Sequence, residues 1–282
     1  MNRKKKRKLR KKSLLDVVGR LIVYAYAIIV TVPFYFVIVT SLKTRDDRIL
    51  NPIGLPESVN FDNYIIAIRD GHLLSAAKNS IIITFGSTLL FLFFVVLVSY
   101  CINRIRNTKV GTAIYMFFLF AMFVPSVSSV TSLMLRRRLG LYNNLSGEIL
   151  CSSIGITTAV FIVTGFLRTI PKDLEEAAML DGANEWQICM KVIVPLIMPA
   201  LSTVGILHFT DIWNSALTPM LTLRDERLYT IPMALLINFS NEYSVEYTTM
   251  FAGALVTCVP IIIIYVTGQK YFVSALTGAV KG

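Results

Sequence analysis

The chain has 282 residues, 55% of them hydrophobic and 16% charged, with a formal net charge of +11 and a mean hydropathy of +0.64. A soluble globular domain carries about 25% charged residues, and the deficit here is gathered into long uncharged runs, which excludes an ordinary soluble class and points to the membrane. The four cysteines (Cys101, Cys151, Cys189, Cys258) are scattered, without metal spacing or a disulfide framework, and read as small hydrophobes.

In chain order, the first twelve residues, MNRKKKRKLRKK, hold nine Lys or Arg and no acid. A basic segment directly before an apolar run is the positive-inside signal and suits anionic headgroups, so the charge speaks for a membrane surface and against nucleic acid. Residues 1–20 are expected to form a basic cytoplasmic tail and 21–42 a first transmembrane helix. That helix is too long for a signal-peptide core and lacks an A-x-A-like cleavage site, so it is expected to stay in the mature protein. Residues 43–77, with NPIGLPESVNFDNY, read as a compact extracytoplasmic loop. Further charge-free runs lie between Lys78 and Arg104, Lys109 and Arg136, Glu148 and Arg168, Lys191 and Asp211, and Glu246 and Lys270. A span needs roughly 20 apolar residues, so the expected fold is an all-α membrane protein with six transmembrane helices and both termini cytoplasmic. Five helices would form a core over 78–268, followed by a cytoplasmic tail at 269–282. The run LYTIPMALLINFSN is too short to span and Pro232 interrupts it, which predicts a surface or re-entrant helix. Arg136, Arg137 and Arg138 fall outside, against the charge rule. No period of 20–50 residues repeats, which excludes a solenoid.

The stretch LEEAAMLDGANEWQICMKVIVPLIMP at 174–199 interrupts the lipid-like pattern. Pro171 suits a helix start, and Asp173, Glu175 and Glu176 complement the dipole of its first turns. Leu174, Ala177 and Ala178 share a face by spacing. Gly182 is predicted to end this helix in a left-handed conformation. Asn184 and Gln187 then form the pattern of a capping box, and Trp186, Cys189, Met190 and Ile193 a second apolar face. Pro195 and Pro199 close that helix and open the next span. The whole of 171–195 reads as a helix–turn–helix on the cytoplasmic surface, with Glu175, Glu176, Asp181 and Glu185 in water. By periodicity alone, a plug for another protein's groove and an interfacial loop without a partner stand equal.

The order Glu176-Ala177-Ala178-x-x-Asp181-Gly182-Ala183, with Val192-x-Val194-Pro195 beyond it, resembles the EAA motif of ABC importer permeases. SLKT at 41–44, NYIIA at 63–67, NSIIIT at 79–84, LGLYNN at 139–144, WN at 213–214, YTIPMAL at 229–235 and the ending QKYFVSALTGAVKG occur in the order seen in MalG-type permeases of carbohydrate importers. The resemblance implies a type I ABC importer permease fold in which 171–195 is a coupling helix docked on a cytoplasmic ATPase. It implies ATPase-coupling roles for Glu175, Glu176, Ala177, Ala178, Asp181, Gly182, Ala183 and Trp186, with Glu176 pairing a basic residue of the ATPase. It also implies a tail contact with the ATPase through Gly278, Lys281 and Gly282. The chain departs from the pattern at Cys189, where the family usually has an aromatic residue; Trp186, one turn earlier, is the candidate to fill that pocket. It departs again at Ser274-Ala275, where a basic residue and Gly are common.

The implied assembly holds a second homologous permease subunit, two cytoplasmic P-loop ATPase subunits and an extracytoplasmic sugar-binding protein, in a bacterial cell membrane. No G-x-x-x-x-G-K-[ST] occurs, so the chain itself is expected to bind no cofactor, with ATP and Mg held by the partner ATPase. His72 and His208 lack neighbours with metal-ligand spacing, so no metal site is expected, and no nucleophile elbow or H-E-x-x-H supports an enzyme. Thr210, Asp211, Trp213 and Asn214, at the end of the fifth run, have two readings. They line a substrate pathway, with Trp213 stacking on a sugar ring, or Asp211 marks the outer interface or a subunit contact. The Arg136–Arg138 triplet docks the binding protein, attracts an anionic saccharide, or is solvated. The expected function is import of a carbohydrate, an oligosaccharide by resemblance. The alternatives are an ion-coupled secondary transporter or channel using Asp211, or an ABC importer for another polar solute.

Overall fold

The computed structural model describes residues 14–105, 109–123, 129–239 and 246–279, and every regular element among them is helical. The order is α1 (Leu14–Ser41), α2 (Arg45–Leu50), α3 (Asp62–Arg69), α4 (Leu73–Arg104), α5 (Lys109–Ala121), α6 (Ser129–Arg138), α7 (Leu145–Ser152), α8 (Thr157–Leu167), α9 (Asp173–Leu180) and α10 (Glu185–Gln187). A π-helical stretch (Ile188–Ile193), α11 (Val194–Leu196), α12 (Met198–Asn214), α13 (Leu217–Thr222), a 3-10 turn (Glu226–Leu228), α14 (Ile231–Phe239) and α15 (Tyr247–Ala279) complete it.

Among the described residues, each charge-free run of the sequence falls mainly on helix, but the helices differ in kind. Among the described residues, α1 from Val17 and α4 are long and apolar enough to cross a membrane by themselves. Two further candidates are bent pairs: α7 with α8, at 48°, and Glu185–Leu196 with α12, at 79°. The larger bend has a clear cause. Pro195 and Pro199 sit in the first turns of α11 and α12, and each removes a backbone donor and crowds the preceding turn. α5 and the Tyr247–Ile263 part of α15 are shorter apolar helices.

The helices do not start and stop where the expected segments do. Residues 14–20, read as tail, are already helix; α4 begins at Leu73 rather than 78; and α15 continues to Ala279 through most of the expected C-terminal tail. Residues 43–77 hold α2 and α3. Lys43 is fully buried there and its Nζ donates to the Asn51 carbonyl. Asn63 Nδ2 donates to the carbonyls of Ser41 and Lys43, both at 2.8 Å, so the loop is pinned to the end of α1. The run predicted as a surface or re-entrant helix is α14, which buries Ile231, Met233, Ala234 and Leu235 and exposes Leu236 and Ile237.

α4 is the axis of the molecule, packed by α7, α8, α12 and α14 along its length. At one end Val95 and Tyr100 join Val163, Leu167, Ile188 and Ile193 in a first core. At the other, Leu73 and Ala76 meet Phe209, Trp213, Ile231 and Leu235. α1 lies along α15, with Phe36 edge-on to Phe251 at 6.1 Å. From Val17 to Phe36 α1 presents mostly apolar exposed surface, including Leu21, Val23 and Ile29, an arrangement stable in lipid and not in water.

Candidate functional site

At one end of α4, residues 173–197 fold into a two-faced knob. α9 ends in a Schellman motif: Gly182 N donates to Met179 O and Ala183 N to Ala178 O, both at 3.0 Å. Gly182 has φ +82°, a conformation that costs an L-residue about 1–2 kcal/mol. Asn184 then caps α10 in a complete capping box, its Oδ1 accepting from Gln187 N and its own N–H donating to Gln187 Oε1, each at 2.9 Å. The chain continues into the π-helical stretch, whose wider turn buries Ile188, Cys189 and Ile193 together.

The inner face of the knob is held by Arg104 at the end of α4. Arg104 Nη1 lies 3.1 Å from Glu175 Oε2 and Nη2 lies 2.7 Å from Glu185 Oε1. Nη2 also approaches Met179 Sδ at 3.4 Å. The Tyr100 hydroxyl donates to Glu185 Oε2 at 2.7 Å. The Tyr100 hydrogen bond, then that of Arg104, holds the Glu185 carboxyl below its ordinary range. Glu175, expected in water and among the ATPase-coupling residues, is instead 6% exposed and turned into the molecule. Ala178 and Ala183 pack against the first core, so on the face that Leu174, Ala177 and Ala178 share by spacing, Ala178 is the edge turned to the bundle while Leu174 and Ala177 are exposed. The outer face presents Leu174, Glu176, Ala177, Leu180, Asp181 and Gly182 to solvent, with Leu180 89% exposed. Trp186 is also exposed and does not join Cys189 and Ile193, because the π-helical turn rotates the buried face away from it.

The other expected site residues lie near the far end of α4. Asp211 is exposed at the wall of a polar cavity of about 200 Å³, which Ser80, Thr84, Arg136, Glu148, Thr218 and Thr230 also line. A second cavity, on the His208 side of α12, has Asp211 at its edge as well. Thr210 Oγ1 donates to Ile206 O at 2.8 Å and accepts no role in either wall. Asn214 is exposed and donates to Thr210 O at 2.9 Å. Trp213 corrects the expectation of a sugar-stacking ring: it is 2% exposed, stacked on Phe209 with ring centroids 5.8 Å apart, and its Nε1 donates to Thr257 O at 3.1 Å.

The Arg triplet divides. Arg136 is buried and paired with Glu148 at 2.5 Å; Glu148 Oε2 also accepts from Thr222 Oγ1 at 2.8 Å. None of the three expected readings describes it. Arg137 and Arg138 are exposed, and Arg137 lies over the Tyr142 ring at 4.6 Å. Asn143, with φ +55°, accepts from Arg224 N and Asp225 N through its Oδ1, fastening the LGLYNN turn to the loop after α13. The buried Arg136–Glu148 pair was missed in the sequence because the two charges stand in separate runs. Gly278 lies in the last turn of α15; Lys281 and Gly282, with most of the basic tail, lie outside the described residues.

Comparison with known proteins gives a consistent set of likenesses. The family model described as binding-protein-dependent transport system inner membrane component matches residues 95–277. A trehalose transport system permease protein of Mycobacterium tuberculosis is 34% identical over 274 residues, covering 93% of this chain and 95% of that one. A probable starch degradation products transport system permease protein of Thermoanaerobacterium thermosulfurigenes is 32% identical, with 88% and 91% covered. A melibiose/raffinose/stachyose import permease protein of Bacillus subtilis is also 32% identical, with 89% and 91% covered. Among solved structures, a bacterial ABC transporter involved in the import of the acidic polysaccharide alginate superposes with a TM-score of 0.83, over 93% of this chain and 98% of that one. At 23% identity that likeness carries the fold.

Proposed function

The chain belongs to the family of binding-protein-dependent transport system inner membrane components, non-catalytic membrane subunits of ABC transporters, and on that premise we propose that it is one permease half of an ATP-driven carbohydrate importer, with an oligosaccharide as cargo. The named relatives support the cargo, since three of them carry starch products, trehalose or melibiose-type sugars by name. The partners are a second homologous permease, two cytoplasmic ATPase subunits that bind ATP and Mg, and an extracytoplasmic sugar-binding protein. The chain crosses the membrane six times, in a bacterial cell membrane, with both termini in the cytoplasm.

The observation that carries the reading is the two-faced knob. Its inner face is fastened to the bundle while its outer face leaves Leu180 and Glu176 free around a glycine turn. An apolar tip flanked by Glu176 and Asp181 fits a cleft with an apolar floor and a basic rim, and the ATPase subunit is the partner that this family supplies. Glu176, Ala177, Asp181, Gly182 and Trp186 make the dock; Glu175, Ala178 and Ala183 shape it from within. Gly278, Lys281 and Gly282 provide a second ATPase contact. ATP binding closes the ATPase dimer, and this acts on transport only if ATP distinguishes the two permease states. Asp211, on the wall of the polar cavity, belongs to the sugar pathway, with Thr210 and Asn214 on the same helix end.

Affinity purification from the native host in mild detergent, with mass spectrometry of what co-elutes, tests the assembly. A P-loop ATPase and a second permease are expected, both lost with Glu176→Arg. Recovery of this chain alone, active in liposomes without ATP, would overturn the proposal.

A further inference from the structure

We propose that Arg104 is the positioning residue that couples the docking knob to α4, and that α4 carries the knob's displacement to the polar cavity at its far end. The inference rests on the reading of 171–195 as an ATPase dock and adds the route by which the dock acts.

The knob is joined to the membrane helices by its own chain, backward into α8 and forward into α12, by Ile188, Cys189 and Ile193 in the first core, and by the side chains of Tyr100 and Arg104 on α4. The forward chain runs into α12 through a π-helical stretch and a 79° bend at two prolines. A break of that kind absorbs displacement. Arg104 makes the charged connection. Its guanidinium reaches Glu175 and Met179, one turn apart on the inner face of α9, and Glu185 at the start of α10. It therefore grips both sides of the Gly182 turn, and its fork geometry fixes direction as well as distance. Glu175 is buried with this cation as its ion-pair partner, so the carboxylate and the guanidinium move together.

Beyond Arg104, α4 is a single helix of 32 residues without an internal proline, about 48 Å long at 1.5 Å per residue. Its other end is bonded as firmly as the first. Asn79 Nδ2 donates to Arg227 O at 2.7 Å and Tyr229 O at 3.0 Å, and Ser80 Oγ accepts from Ile231 N at 2.9 Å. Ser80 and Thr84 of the same helix face the cavity that holds Asp211. Glu185 (held by Arg104 and Tyr100), α4 and the cavity wall thus form one continuous path along a single helix, whereas the forward chain into α12 is hinged and the backward chain into α8 leads to a pair bent by 48° with α7.

The test uses the full complex in liposomes, with this chain's native cysteines replaced by alanine and Thr218→Cys placed on the cavity wall. Labelling by a membrane-impermeant maleimide is compared without nucleotide and with ATP trapped by vanadate, and ATPase retention and hydrolysis are measured in parallel. With Arg104 intact, labelling follows the nucleotide. Arg104→Ala is expected to keep the ATPase bound and hydrolysing while the nucleotide-dependent change in labelling falls about tenfold, inside the range typical of coupling between sites. Arg104→Lys, which keeps the charge without the fork, recovers part of it. Labelling that still follows ATP in Arg104→Ala overturns the proposal, and so does loss of the ATPase in that variant, which would make Arg104 a shaper of the dock only. Should Arg104→Ala fail to reach the membrane, Glu185→Gln decides: a reduced nucleotide response supports the path and an unchanged one refutes it. Failure of the docking reading is seen separately, as ATPase retained by Glu176→Arg.

Discussion

At the scale of single residues, burial reassigns side chains whose type alone looked functional. Trp213 is a core ring, closed over by Phe209 and anchored through Thr257. Trp213→Ala is expected to lower stability by about 3–5 kcal/mol, the cost of emptying a buried aromatic site, with thermal unfolding of the detergent-purified complex as the measurement. A sugar-stacking role would instead leave unfolding unchanged and raise the KM for uptake. The Arg136–Glu148 pair makes a sharper case. Removing Arg136 alone strands a buried carboxylate and is expected to cost about 3–5 kcal/mol, while Arg136→Met with Glu148→Leu together should return close to the parent stability. A double variant as unstable as the single would mean that the pair itself is required. Neither assignment was legible in the sequence, because a Trp or an Arg beside an apolar run carries no mark of which neighbour it meets. A lone carboxylate ending an apolar run marked Asp211 in the sequence, but the polar wall on which it lies did not show there, because Ser80, Thr84, Glu148 and Thr230 come from distant elements.

At the scale of elements, the knob over 173–197 is the part that local rules described best. The Schellman turn at Gly182 and the capping box at Asn184 both follow from short-range chemistry, the first from the freedom of a residue without Cβ and the second from side-chain reach. What failed was the face. A regular α period puts Trp186 with Cys189 and Ile193, whereas the π-helical turn separates them, and nothing in the sequence marks an i→i+5 register. The sequence also gave no means to tell Glu175 from Glu176, since which of two adjacent carboxylates turns inward depends on Arg104, far away in the chain. Gly182→Pro is expected to abolish ATP-driven uptake with membrane insertion intact, since proline holds φ near about −65° and removes the N–H that Met179 O accepts. Gly182→Ala, where the added Cβ meets nothing within 4 Å, carries only the backbone cost of about 1–2 kcal/mol and should transport at a reduced rate. Equal, full uptake in both variants would remove the turn from the coupling route.

At the scale of the whole molecule, orientation follows from where the charges go. The basic N-terminal segment predicts a cytoplasmic start for the first helix, and in that topology the Arg triplet on the opposite side stood against the rule. The buried pairing of Arg136 with Glu148 weakens the objection, since a neutralised, buried cation exerts little pull on topology and only Arg137 and Arg138 remain as exposed charge. In the proposed topology the knob and the Asp211 cavity, towards opposite ends of α4, are expected on opposite sides of the membrane, because a helix of about 48 Å is longer than the roughly 30 Å hydrocarbon core. Single cysteines at Ser58, in the loop between α2 and α3, and at Leu180, on the knob, report the two sides in intact cells once the native cysteines are removed. An impermeant maleimide is expected to label Ser58→Cys directly and Leu180→Cys only after permeabilisation. The reverse pattern would invert the molecule and place the knob out of reach of any ATPase. Labelling of both sites in intact cells would mean that the chain between them, α4 included, does not cross, and the proposed path along α4 would have no membrane to span.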